Sequence, residues 1–222
     1  MKTTPDQDRY SQPEDVVVAE DPEERARLEG RNGLLQFDEV KRLAQEALEA
    51  RSPFRLRPST ILRLNGVALQ DIERLGGTYR TGGMTIENST HNPPVAEHVP
   101  RLFEEMCDYV NDHWDRSALH LAAYVMWRIN WIHPFVDGNG RTARAASYLI
   151  LCVRLGYVLP GTKTIPEHIV ANKKPYWDAL EKADEVWKQD EIVDVFDLEQ
   201  YLKEMLSAQL LSVVEAAGDR NR

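Results

Sequence analysis

Cysteine is scarce in this chain: Cys107 and Cys152 are the only two in 222 residues. Two isolated cysteines make neither a disulfide framework nor a zinc site. Both fall in apolar helical patterns and read as reduced core residues. Long apolar runs are missing too, since the longest are broken by Arg and Asn and are too short for a bilayer span. No membrane partner is therefore expected. Positive charge is in deficit: Lys and Arg number 27 against 36 Asp and Glu, a formal net charge of −9, with a pI near 5.2. That balance argues against general nucleic-acid binding, which normally needs a basic face. It leaves room for one local basic pocket. The first six residues, Met1-Lys2-Thr3-Thr4-Pro5-Asp6, have no apolar centre, so no secretory signal is expected and a cytoplasmic location follows.

What remains is the composition of a globular protein, 42% apolar and 28% charged, long enough for one domain with a sizeable core. Residues 1–20 are polar, carry Pro5 and Pro13, and read as a flexible tail. Asp21-Pro22-Glu23-Glu24 is a helix start, with a capping Asp, Pro at the first position and acids in the first turn. This helix is expected to stop near Gly30 or Asn32-Gly33. A second is expected from Phe37 to Ala50 and a third from Thr60 to Leu69. Gly76 to Ile86 sets β-branched and aromatic residues between glycines and reads as a short hairpin, the only convincing strand material. Further helices are expected over Val95–Asp112, Ser117–Ile132, Arg141–Leu155, Lys173–Lys188 and Asp197–Ala217. The helix Ser117–Ile132 is apolar almost all round and so is expected at the centre of the fold. The fold class is mainly α with one β-hairpin.

Chemistry concentrates in the segment His133-Pro134-Phe135-Val136-Asp137-Gly138-Asn139-Gly140-Arg141-Thr142-Ala143-Arg144. Pro134 ends the helix before it. Gly138 and Gly140 allow a tight turn and close approach to a ligand. The next helix offers unpaired N–H groups and the positive end of its dipole. Arg141 and Arg144 lie on one face of its first turn, where cations are unfavourable unless an anion is bound. Guanidinium forks and backbone N–H groups suit a polyphosphate. Asp137 opposes such an anion unless it holds Mg²⁺ against phosphate oxygens. His133 is then a base able to take a proton from an attacking hydroxyl. Base, metal carboxylate, anion cradle and two arginines together indicate phosphoryl or nucleotidyl transfer.

The same segment resembles the Fic motif: His-Pro-Phe, any residue, an acid, Gly-Asn-Gly-Arg, two open positions, Arg. All nine specified positions match, and chance agreement is on the order of 10⁻¹¹ per start position at residue frequencies near one in twenty. The resemblance extends from about Arg25 to the last helix. It implies a Fic-type helical domain over 37–217 and AMP transfer from ATP to a Ser, Thr or Tyr hydroxyl of a target protein. By similarity, His133 is the general base, Phe135 the buried anchor and Asp137 the Mg²⁺ ligand. Gly138, Asn139 and Gly140 would form the anion hole, with Arg141 at the leaving phosphates and Arg144 at the γ-phosphate. Thr81 to Ile86 resembles the family's flap, with Met84 as its apolar clamp. Tyr176 falls where relatives place an aromatic near adenine, although a core tyrosine is an equal reading. Residues 21–36 resemble an inhibitory helix. Glu29-Gly30 fits its motif while Arg25 stands where Ser or Thr is expected; the implied contact is Glu29 with Arg144. Removal of AMP from a modified protein, a nucleotide-binding scaffold and a homodimer stay open.

Overall fold

In the computed structural model, residues 18–86, 91–161 and 163–219 are described. The expected tail over residues 1–20 lies almost wholly outside them. The first helix, α1, spans Pro22–Glu49. Its start follows the sequence signals, since the Asp21 carboxylate accepts from Glu24 N–H at 2.8 Å. Its end does not. Two helices with a break near Gly30–Gly33 were expected, and one continuous helix runs through both glycines. The boundary placed after residue 36 therefore falls inside a helix.

The reason lies in the partner helix α2, Pro58–Ala68. One stripe of α1, Leu28, Asn32, Gln36, Val40 and Ala44, is buried at four-residue spacing. Asn32 donates to the carbonyls of Ala68 (3.3 Å) and Gln70 (2.7 Å), and Gln36 donates to Leu64 O at 2.9 Å. Carbonyls at a helix C-terminus lack intrahelical partners. The polar residues that read as a helix stop thus satisfy the end of α2, and the docking carries α1 across its weak glycines.

Helices α3 (Val99–Asp112), α4 (Ala118–Ile132), α5 (Asn139–Leu155), α6 (Ile165–Ala171), α7 (Lys174–Asp190) and α8 (Phe196–Asp219) follow. As the apolar pattern predicts, α4 is central and buried from Leu121 to Ile129 and again at Ile132. It packs against α5, with α3, α7 and α8 around it, while α1, α2 and α6 cover α5. Cys107 and Cys152 are free and buried. Helix α6 was not anticipated, yet Thr164-Ile165-Pro166-Glu167 is a capping-box sequence. The Glu167 carboxylate accepts from Thr164 N–H at 2.6 Å.

The expected hairpin is absent among the described residues, which show turns and extended backbone over 76–86 and no ladder. Residues 87–90 lie outside the description. The backbone of this segment pairs elsewhere, because Arg80 N–H donates to Pro134 O at 2.8 Å. Gly77, at φ +80°, brings the chain against α2, where a Cβ would stand 3.0 Å from Leu62 O. Met84 is half-buried.

Candidate active site

The loop between α4 and α5 carries the site. His133 caps α4 in the left-handed region, at φ 49° and ψ 59°. Such backbone is uncommon for a residue with a side chain and needs support from its surroundings. Arg80 supplies it. Its side chain is buried, 3% exposed, and donates to His133 O (2.7 Å), Gly82 O (2.8 Å), Ile132 O (3.4 Å) and Pro94 O. One guanidinium thus ties the end of α4 to the segment before α3.

Two amides shape the rest of the turn. Asn139 is buried, accepts from Phe135 N–H at 3.0 Å and donates to Phe135 O at 2.9 Å. Its side chain therefore closes the loop, and only its backbone faces the expected anion hole. Phe135 is fully buried, 6.0 Å edge-to-face from Phe103, and is the anchor that the motif implied. Asn65 of α2, also fully buried, donates to Asp137 O (3.0 Å) and Thr142 Oγ1 (3.2 Å) and accepts from Gly77 N–H (2.8 Å). Gly138 has φ +75°, and a Cβ there would stand 3.1 Å from Asn65 Nδ2.

His133 Nδ1 faces Asn130 O at 3.3 Å. With the proton on Nδ1 donating to that carbonyl, Nε2 keeps its lone pair. Burial pulls this imidazole down from 6.5 to about 4, the Asn130 carbonyl opposes that, and Arg80 adds to it. His133 is thus neutral near pH 7, the form a general base requires.

Opposite it begins α5, whose first backbone donor in the ladder is Thr142, to Gly138 O at 2.9 Å. The N–H groups before it point out of the helix. Arg144 lies beside Gly140, where a Cβ would stand 3.3 Å from Arg144 NH1. Burial is the main force lowering its affinity for the proton, and Tyr176 and Tyr201 are its electrostatic neighbours. Among the described residues no carboxylate pairs with it. A half-buried guanidinium without a counter-charge is costly, so an anion would relieve it.

Tyr176 was expected near adenine. It is 2% exposed and its hydroxyl accepts from Asn130 Nδ2 at 2.8 Å. It packs in the interior beneath Arg144 as a core tyrosine.

Glu29 was expected to meet Arg144. It meets Arg141 NH1 and Arg25 Nε instead, both at 3.4 Å. Arg144, three residues later on α5, has no carboxylate within ion-pair distance among the described residues. Arg25 is the hub of this rim. It reaches Asp137 Oδ2 at 2.7 Å and Glu73 Oε1 at 3.5 Å. Asp137 Oδ2 also takes Arg141 NH2 at 3.1 Å, and Oδ1 takes Gly138 N–H.

The residues present fit a divalent cation. Asp137 is a carboxylate beside the N-terminus of α5, paired with the guanidinium groups of Arg25 and Arg141, and one or two carboxylates plus phosphate oxygens are how Mg²⁺ is ordinarily held. Sequence reasoning missed Arg80, Asn65, Glu73 and the role of Arg25. Only the last had a signal, as the position where the inhibitory pattern was broken.

Comparison with known proteins agrees with this geometry. Residues 55–151 match the model of the Fic/DOC family. The protein adenylyltransferase Fic of Drosophila willistoni is 33% identical over 101 residues, covering 44% of this chain and 20% of that protein. The chain thus spans about a fifth of that relative's length. A Fic domain-containing signaling protein of Bacteroides thetaiotaomicron superposes with a TM-score of 0.66 at 21% identity, covering 88% of this chain and 73% of that one. The Bartonella tribocorum effector BepC, solved with bound AMPPNP, gives 0.56 at 12% identity over 84% and 88% of the two chains. No described helix is long and apolar enough to cross a membrane. With the motif intact and the family model matched across it, residues 55–151 are similar to the Fic/DOC family, and the chain shares the fold of its solved members.

Proposed function

We propose that the protein transfers AMP from ATP to a hydroxyl of a target protein. The observation that carries this reading is the pairing of a neutral, half-buried His133 with a half-buried Arg144 that has no carboxylate partner among the described residues. A base and an unmatched cation flank one glycine turn at a helix N-terminus. The target Ser, Thr or Tyr oxygen would attack the α-phosphorus, its proton passing to His133 Nε2, and the bond to the β-phosphate oxygen would break to release pyrophosphate. Backbone N–H groups of Gly138, Asn139 and Gly140 would receive the α-phosphate charge. Arg141 and Arg144 would bind the leaving phosphates. Asp137 would hold Mg²⁺, which supplies neutralisation of phosphate charge when bound. The half-buried Met84 segment, pinned to the loop through Arg80, would cover the nucleotide and align an extended target segment.

The named adenylyltransferases among the relatives and the AMPPNP held by BepC support ATP as the donor. The Glu29–Arg141 ion pair supports restraint by α1, since it engages a phosphate-binding arginine. The test uses ATP labelled at the α- or the γ-phosphate with Mg²⁺ and lysate or the enzyme itself as acceptor. Covalent label from the α position alone, lost in His133→Ala and raised in Glu29→Gly, is expected. Label from the γ position would make the protein a kinase-like variant. Bound ATP with no label from either would leave AMP removal or a binding role.

A further inference from the structure

The N-terminal turn of α1 places a cation where cations are disfavoured. Arg25 is three residues into the helix, at the positive end of its dipole. It is held there by three carboxylates, Glu29, Glu73 and Asp137. Glu73 is almost enclosed, its side chain 7% exposed, and burial raises its pKa while Arg25 opposes that rise. A solvated ion pair would not need this. The guanidinium is seated between two acids that no backbone element requires to be close, and one of them is Asp137.

The occupancy of Asp137 is what matters. Oδ1 takes the N–H of Gly138, and Oδ2 takes Arg141 and, more closely, Arg25 at 2.7 Å. Oδ2 is thus taken by two guanidinium groups, whose positive charge opposes a divalent cation at the same carboxylate. Arg141 would follow the phosphates when nucleotide binds. Arg25 has no phosphate to follow, because it is tethered to α1.

We propose that Arg25 is an intramolecular competitor of the divalent cation: while α1 is docked its guanidinium neutralises Asp137, and metal binds there only as Arg25 withdraws. The inference rests on the reading of Asp137 as the metal carboxylate and adds a regulatory element to it. It differs from restraint through Glu29, which acts on a phosphate-binding arginine. Withdrawal is local. The turn that carries Arg25 precedes the first buried contact of α1, Leu28 with Ala19 and Ile72. Beyond it, Gly30 and Gly33 continue the helix with backbone that has no side chain to stiffen it.

The test is calorimetric titration of a non-hydrolysable ATP analogue at a series of Mg²⁺ concentrations and in chelator. The proteins are wild type, Arg25→Gln, Arg25→Ala, Asp137→Asn and Arg27→Gln, each checked by thermal melting. Arg27 lies on the same turn and, among the described residues, pairs with Glu24 at 3.6 Å. Both Arg25 variants should reach half-maximal tightening at about ten-fold less Mg²⁺, within the usual range for two coupled ligands. Affinity in chelator should not change, Arg27→Gln should match wild type and Asp137→Asn should abolish the Mg²⁺ effect. If the Arg25 variants tighten nucleotide binding equally with and without Mg²⁺, or shift nothing, competition with the metal is overturned. If Asp137→Asn keeps the Mg²⁺ effect, the reading of Asp137 itself fails. Neither outcome depends on AMP transfer.

Discussion

His133 is placed to be a base by its surroundings. Its pKa falls to about 4 chiefly because burial disfavours the imidazolium. The acidic limb of kcat/KM for AMP transfer is therefore expected as the pH approaches 4, with a plateau through pH 6. A pH-rate profile with a half-point near 6.5 would contradict it. The same depression has a consequence for stability. Between about 4 and 6.5 the unfolded chain protonates this residue and the folded one does not. The unfolded state then binds more protons, so stability must fall as pH is lowered through that window and be unaffected by this residue above it. Thermal melts of wild type and His133→Ala across the window would show the difference. Arg144 presents the opposite case, a half-buried cation with no partner carboxylate among the described residues. Removing it should be neutral or stabilising by up to about 2 kcal/mol, while nucleotide binding is lost. Arg144→Met read by melting and by nucleotide titration tests both halves. A large loss of stability would mean that the guanidinium serves the fold.

The loop holds its shape through elements far away in sequence. Arg80, Asn65 and Asn139 fasten it to the 76–86 segment, to α2 and to itself. Arg80→Ala should cost about 3 kcal/mol, because several buried carbonyls lose their donor at once. Urea unfolding measures it, and a value under ~1 kcal/mol would assign the hold on His133 to something else. The glycines of α1 invite a contrasting substitution. A Cβ at Gly30 or Gly33 meets nothing within 4 Å. Each Gly→Ala should stabilise the fold by roughly 0.5–1 kcal/mol. Since a stiffer α1 keeps Arg25 and Glu29 in place, the double variant should also transfer AMP more slowly than wild type. Higher melting temperature with unchanged transfer would separate the stability of α1 from control of the site.

Across the whole molecule, the cost of assembling charge is spread between the site and its cover. Arg25, Arg141, Glu29, Glu73 and Asp137 form one network, contributed by α1, the turn after α2, the motif loop and α5. It neutralises a site proposed above to hold phosphates and a metal. Nucleotide with Mg²⁺ would replace that neutralisation, which couples opening of α1 to binding.

How much of this was legible in the sequence varied with range. The motif from His133 to Arg144 was readable because its chemistry is local: a proline, two glycines, a base, an acid and two arginines within one turn specify loop, helix start and anion site together. The central helices were readable because apolar residues at α4 and α5 positions repeat with helical period. Capping at Asp21 was readable for the same reason. The continuity of α1 was decided by tertiary structure, since Gly30 and Asn32-Gly33 look like a stop until the carbonyls at the end of α2 are beside Asn32. No strand is seen over 76–86, where Arg80 N–H is spent on Pro134 O, and of the two readings of Tyr176 the core one agrees with its burial in α7. Glu29 was found by pattern but its partner was not, because the choice between Arg141 and Arg144 depends on which side of α5 faces α1. Local sequence set the reactive groups; the packing of helices remote in sequence decided which charges meet them.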